Sequence, residues 1–240
     1  MDYKKLYEKQ YGEKRIVNTS QRQFWGLREF LKKYDWDRYS VTEQLVEPGE
    51  RILDIGCGEG YMLRKVSGKF KELYGMDISP SRLKEAEAKT KDFYPSESSR
   101  FKFIEGNADK PLPFQDNFFD TIICIAVMEH IYDIFSLVKE MYRVLKPNGY
   151  VIAEVPNICY LKYRVQILLG KLPATSSPYN WEKIGWDGGH IHYFTMKKFC
   201  WLFESQGFRI EKKTGSGFLA KFRNWWLSLL TGDLVIKARK

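Results

Sequence analysis

Histidine is scarce in this chain, with three among 240 residues, and cysteine nearly as scarce, with four. Cys57, Cys124, Cys159 and Cys200 are widely spaced and form no Cys-x-x-Cys pair. That spacing argues against a disulfide framework and against a cysteine zinc cluster; free thiols suit a reducing compartment. No metal site is expected. The opening Met1-Asp2-Tyr3-Lys4-Lys5 has no apolar signal-peptide core. Apolar runs such as Ile122 to Met128 are far too short to cross a bilayer. The cytoplasm is therefore the expected compartment. Internal repeats and low-complexity tracts are also absent, which excludes a solenoid.

What is present is a globular composition, 44% hydrophobic and 29% charged. The length suits one substantial domain with its own core. The net charge of +9 would attract any polyanion. Yet Lys and Arg are interleaved with Glu and Asp, as from Arg82 to Lys91, so a solvated surface is expected and nucleic acid is not expected as a partner.

Periodicity predicts helices over Gln21 to Tyr34 and Tyr39 to Val46, a helical cap within residues 1–48. Strands and helices then alternate through a core at 49–157. Strands are predicted at Arg51 to Ile55, Glu72 to Met76, Phe101 to Glu105, Thr121 to Ala126 and Tyr150 to Val155. Helices lie between them near Tyr61 to Val66, from Ser79-Pro80 to Asp92, and from Ile134 to the turn Lys146-Pro147-Asn148-Gly149. Residues 158–194 are a long insertion containing a helix from Tyr160 to Leu169. Residues 195–240 carry a helix capped by Thr195 and two strands, Phe208 to Lys212 and Leu234 to Lys237. The expected fold is α/β: a doubly wound, mostly parallel sheet covered on both faces.

The most informative stretch is Ile52-Leu53-Asp54-Ile55-Gly56-Cys57-Gly58-Glu59-Gly60. A buried strand ends in glycines that let a ligand approach the backbone, and the next helix directs N–H groups at the same crevice. Ligands of open α/β sheets sit at this carboxyl edge. A dinucleotide fingerprint needs glycine where Tyr61 stands; here the third glycine, Gly60, comes one residue early. Asp54, just before the turn, can meet a cationic group such as the amino acid end of S-adenosylmethionine, a group NAD lacks. Asp77, with Ile78 beside it, ends the second strand, where a carboxylate can accept both ribose hydroxyls. Asn107 and Ala108 follow the third strand and could read an adenine edge, and Ile125 lies near the end of the fourth.

Asp54 to Gly60, Asp77, and Asn107-Ala108 followed by Leu112-Pro113-Phe114-x-Asp116-Asn117-x-Phe119-Asp120 together resemble the class I S-adenosylmethionine-dependent methyltransferases. Within them the chain is most similar to the small-molecule branch that includes quinone-biosynthesis enzymes. Val127-Met128-Glu129-His130 and Val144-Leu145-Lys146-Pro147-x-Gly149 fit the same branch. The resemblance implies a seven-stranded sheet with an antiparallel C-terminal edge strand, S-adenosylmethionine as cofactor, and Asp77 on its ribose. It also implies cofactor contacts at Asp54, Gly56, Cys57, Gly58, Gly60, Ile78, Asn107, Ala108 and Ile125. The branch usually has Asp where this chain has Asn107, a change that weakens an acceptor without removing it.

Methyl transfer from a sulfonium is an in-line displacement with a good leaving group, so alignment supplies most of the catalysis, up to about 7–11 kcal/mol. A hydroxyl acceptor gains roughly 10²–10⁴-fold more from a general base. His190, carried on Gly188-Gly189, is the first candidate base, and His130, after the fourth strand, the second. His192 is the third. Their structural roles would be a loop hydrogen bond for His130 and packing beside Tyr193 for His192.

The aromatic residues Tyr179, Trp181, Trp186 and Tyr193 make 158–194 a candidate lid over a small-molecule, lipid-like or glycan acceptor. In the second insertion, 218–230, Phe218, Leu219, Phe222, Trp225, Trp226, Leu229 and Leu230 follow helical spacing. Such a helix would pack on its own domain or on a twin subunit in a homodimer, or lie on a membrane surface. Three other functions stay open at this point: a protein that binds the cofactor without turnover, a NAD-dependent oxidoreductase, and an RNA methyltransferase.

Overall fold

A computed structural model describes residues 35–173, 175, 189–218 and 220–240. The helix expected over Gln21 to Tyr34 and the aromatic run from Tyr179 to Trp186 lie outside the described residues. Strand β1 (Asp35–Trp36) leads into helix α1 (Arg38–Leu45), whose N-cap Asp37 accepts the backbone N–H groups of Tyr39 and Ser40. Then follow β2 (Gly49–Ile55), α2 (Tyr61–Lys65), β3 (Phe70–Asp77), α3 (Pro80–Phe93) and β4 (Phe101–Glu105). Next come β5 (Phe119–Ile125), α4 (Ile134–Val144), β6 (Leu145–Pro156) and α5 (Leu161–Leu168). The chain ends with α6 (Met196–Glu204), β7 (Arg209–Phe218), α7 (Ala220–Arg223), α8 (Leu227–Leu230) and β8 (Asp233–Arg239). Side-chain caps start α3 at Ser79, α4 at Asp133 and α6 at Thr195.

Among the described residues the strands form one sheet, ordered β1-β7-β8-β6-β5-β2-β3-β4. The neighbours from β4 to β6 are parallel, and β8 runs antiparallel to both β6 and β7. The seven long strands are those expected, and β1 adds two residues on the outer side of β7. Among the seven long strands the antiparallel C-terminal strand lies one place inside the edge and not at it. Its Leu234, Val235, Ile236 and Ala238 are all fully buried, so both of its faces are covered and β7 takes the outer position.

Side-chain alternation divides the core between the two faces. Leu53, Ile122, Cys124 and Val151 join α4 and α6 on one side. Ile52, Ile123 and Ile152 join α1 and α2 on the other. Two expectations need correction. Lys146-Pro147-Asn148-Gly149 ends α4, but the backbone continues as part of β6, with Asn148 absorbing a left-handed φ of 65°. The 218–230 segment is not one helix: Phe218 ends β7, and Asn224–Trp226 form a 3-10 turn between α7 and α8. Asn224 fixes that break, its side chain bonding Gly215 N–H and the Thr214 hydroxyl.

Candidate active site

The carboxyl ends of β2, β3, β4 and β5 surround a crevice in two parts that meet at Gly56. Gly56 and Cys57 both donate backbone N–H bonds to the Met76 carbonyl, which pins the turn after β2 onto the end of β3. Gly56 has φ +74°, and a Cβ there would stand 2.2 Å from Val127 Cγ2. Gly60 caps α2 with φ +71°, and a Cβ would press on the Phe103 ring at 3.0 Å. The glycines are therefore required by the turn as well as by any ligand. Gly58 donates its N–H to Asp77 Oδ2 at 2.8 Å, and Ser79 donates to Asp77 Oδ1 at 2.9 Å. Asp77 thus holds the turn it faces.

One part of the crevice is lined by Asp77, Ile78, Asn107, Ala108, Val127 and His130 among others. Here Asn107 Oδ1 accepts the Asp109 N–H at 2.9 Å, closing an Asx turn that fixes the loop after β4. Asp109 in turn accepts the Tyr132 N–H at 2.7 Å, tying that loop to the segment after β5. The other part is lined by Asp54, Cys57, Gly58 and Ile125 from the predicted set. Gly60 sits behind the turn and lines neither part. Asp54 is 4% exposed, and burial, with Asp77 nearby, pushes its pKa up to about 8. Burial also raises the Cys57 thiol far above its usual range, so it is no nucleophile.

The second part also contains Asp37, Tyr39, Tyr61 and Arg82, none of which sequence reasoning placed in the site. They arrive from α1 and its cap, from α2 and from α3. Tyr61 and Arg82 carried a signal, since each stands on the first turn of a helix that begins at the crevice.

The structure brings together two of the three candidate bases, His130 and His190, their rings edge to face with centroids 4.7 Å apart. His130 belongs to a 3-10 turn (Met128–His130), and the Thr175 hydroxyl lies 2.8 Å from His190 Nδ1. The N–H groups of Ile191 and His192 donate to the Glu129 carbonyl at 2.8 and 3.3 Å, which docks the His190 loop on the 3-10 turn. His192 is directed elsewhere: its Nε2 lies 3.3 Å from the Tyr132 carbonyl oxygen. Glu129, a further residue not singled out, is 1% exposed, and burial pushes its carboxyl up to about 7 despite its own backbone N–H and the Arg38 charge.

A family model described as a methyltransferase domain matches residues 53–153, the stretch from β2 to β6. The demethylmenaquinone methyltransferase of Lysinibacillus sphaericus (strain C3-41) is 31% identical over 204 residues, covering 79% of this chain and 82% of that protein. The chain belongs to the class I S-adenosylmethionine-dependent methyltransferases. The demethylmenaquinone methyltransferase of Bacillus subtilis (strain 168) is 30% identical over 198 residues, 76% of this methyltransferase and 81% of the relative. In fold the methyltransferase is similar to an S-adenosylmethionine-dependent methyltransferase from Mesorhizobium loti (TM-score 0.62, 18% identity, 84% of this chain and 97% of that one). A second such structure, from Methanosarcina mazei, superposes with TM-score 0.59 at 24% identity, over 85% and 98% of the two chains. The cofactor of that family is S-adenosylmethionine.

Proposed function

We propose that this methyltransferase moves the methyl group of S-adenosylmethionine to an oxygen of a small amphiphilic acceptor, such as a ring compound with a lipid tail or a glycolipid. Asp77, Ile78, Asn107 and Ala108 take the adenosine, with the lone pairs of Asp77 that do not serve the glycine turn accepting ribose hydroxyls. Asp54, Gly56, Cys57, Gly58 and Ile125 take the methionine end, with Asp54 facing its ammonium group. In the reaction the acceptor oxygen attacks the methyl carbon in line with sulfur. The O–C bond forms as the C–S bond breaks, sulfur keeps the electron pair as S-adenosylhomocysteine, and the hydroxyl proton passes to a nearby base or to solvent water.

The observation that carries the acceptor assignment is the His130–His190 pair, which meets at the crevice rim from loops 60 residues apart and can ease loss of that proton. The amphiphilic character rests on exposed apolar side chains of both insertions: Ile167, Leu168 and Leu172 from one, Phe222, Trp225 and Trp226 from the other. The insertions touch, for the Arg223 guanidinium lies 5.0 Å from the Tyr160 ring centroid. No helix among the described residues is long and apolar enough to cross a membrane. Surface contact through 218–230 is therefore the form membrane association would take. The relatives named for demethylmenaquinone favour a second reading, in which a carbon of a quinol-like ring receives the methyl group.

The test is transfer of labelled methyl from S-adenosylmethionine across a panel of hydroxyaromatic, quinol and glycolipid acceptors. On the acceptor found, His130→Ala and His190→Ala should each lower kcat/KM by roughly 10²-fold or more, with cofactor affinity retained. Wild-type kcat/KM in both variants would remove the pair from the chemistry. Flotation with anionic liposomes at low salt tests the membrane contact, and protein that stays wholly in the soluble fraction refutes it.

A further inference from the structure

We infer that Glu129, His130 and His190 form a site for one divalent transition-metal ion at the rim of the cofactor crevice, where the ion also binds an oxygen of the acceptor. The ion's role toward the acceptor rests on the methyl-transfer reading above; the metal site itself stands on the following geometry. One donor atom from each of the three residues lies within 4.8 Å of the others. Ligands held at about 2.0–2.2 Å from a zinc ion stand about 3–3.5 Å apart, so side-chain movements of about 1 Å close the site. Two imidazoles and one carboxylate suit zinc, manganese, iron or cobalt, and leave coordination positions open for an acceptor.

Glu129 points independently to a cation. It is 1% exposed, and its Oε2 has no hydrogen-bond partner among the described residues. A buried carboxylate oxygen without a partner calls for an explanation, and an ion bound there supplies one. The surroundings favour positive charge as well. Glu154, fully buried, and Asp233 face the single guanidinium of Arg38 at 3.4 and 3.6 Å, so two carboxylates share one cation even before Glu129 is counted. The scaffold is preformed: the backbone bonds from Ile191 and His192 to the Glu129 carbonyl hold the two ligand-bearing loops together. The Thr175 hydroxyl at His190 Nδ1 is the outer hydrogen bond that orients metal-bound imidazoles, and it assigns Nε2 to the ion.

In this arrangement the histidine pair acts through the ion and not as the proton acceptor. A hydroxyl bound to the cation loses its proton to solvent water more readily, as metal-bound water does, and its oxygen then attacks the methyl carbon as described above. The ion also fixes the oxygen in position for the in-line approach.

The experiment uses the full chain, stripped with chelator and equilibrated by dialysis against zinc or cobalt, with bound metal measured by elemental analysis. We expect one ion per chain for wild type. Glu129→Gln, His130→Ala and His190→Ala should each weaken metal affinity at least tenfold, while His192→Ala keeps it. S-adenosylhomocysteine affinity of Glu129→Gln and His190→Ala should stay within about threefold of wild type. Wild-type protein that is folded and binds S-adenosylhomocysteine but takes up no ion overturns the site, as do three variants that bind metal like wild type. Absence of S-adenosylhomocysteine binding would instead count against the cofactor crevice and leave the metal result readable. Should a variant lose its circular dichroism spectrum, X-ray absorption of zinc-loaded wild type decides: imidazole and oxygen ligands uphold the site, and thiolate ligation overturns it.

Discussion

Asp54 gives the most quantitative handle on the cofactor site. It is buried at the end of β2, and that burial raises its carboxyl to about 8, where an unfolded chain would ionise it near 3.9. Without cofactor, only about one molecule in eleven carries the charge at pH 7, from a pKa of about 8. If the ionised form receives the ammonium group of S-adenosylmethionine, affinity should rise about tenfold per pH unit up to pH 8. Above that it falls again, since a free α-amino group loses its proton at about 7.7–8.0. Binding at pH 7 should release nearly one proton, visible in calorimetry as heats that differ between buffers of different ionisation enthalpy.

Asp54→Asn should flatten the acid limb of that profile and weaken affinity at pH 8 by roughly 10–150-fold, the worth of a charge-assisted hydrogen bond of about 1.5–3 kcal/mol. Its effect on stability has the opposite sign. Between pH 4 and 8 the folded chain holds a proton that the unfolded chain has lost, so stability without cofactor falls as pH rises, by on the order of 5 kcal/mol in all. The asparagine variant escapes that cost and should melt higher than wild type at pH 9. An unchanged pH–affinity slope, or a variant that melts lower at pH 9, would refute the role of Asp54 as a buried, uncompensated carboxylate awaiting a cation.

Gly56→Ala should destabilise the protein by about 1–3 kcal/mol and abolish measurable S-adenosylhomocysteine binding, because the new methyl meets Val127 at 2.2 Å in a left-handed backbone; thermal melting with calorimetry checks both. Arg38→Met should cost about 1–3 kcal/mol at pH 8, discounted for the one-third exposure of Arg38, because it leaves buried Glu154 without its cation. Burial raises Glu154 well above the usual carboxylate range, so the cost should shrink toward pH 4 as Glu154 protonates, and urea titration at both pH values reads the difference. Asp109→Ala removes the acceptor for Tyr132 N–H and should lower kcat more than it raises the cofactor Kd, since it loosens the segment that carries His130. Equal effects on both would deny it that positioning role.

The parts of the fold set by local chemistry were legible in the sequence. Phe101–Glu105 is a strand within its predicted bounds, and Ser79-Pro80 and Thr195 start helices as their caps require. The glycine turn and Asp77 were readable because each stands at a strand end, where spacing alone fixes place. What was not legible depends on distant partners. The antiparallel strand is internal because β7 covers it, a fact of pairing that periodicity does not contain. The Phe218–Leu230 pattern looked helical throughout, yet β7 runs on to Phe218 and Asn224 breaks the remainder by bonding Thr214. Glu129 entered the sequence reading only as part of the Val127-Met128-Glu129-His130 motif; its burial goes with the 3-10 turn on which 190–192 dock. Asp37 and Tyr39 reach the crevice from α1 and its cap and Arg82 from α3, and no motif links them.

Calorimetric titration of the purified, folded chain with S-adenosylhomocysteine bears most directly on the cofactor crevice. Saturable binding of one molecule per chain, weakened by Asp54→Asn and abolished by Gly56→Ala, is the expected outcome. A folded protein that gives no binding heat and no thermal shift with either S-adenosylhomocysteine or S-adenosylmethionine would contradict it.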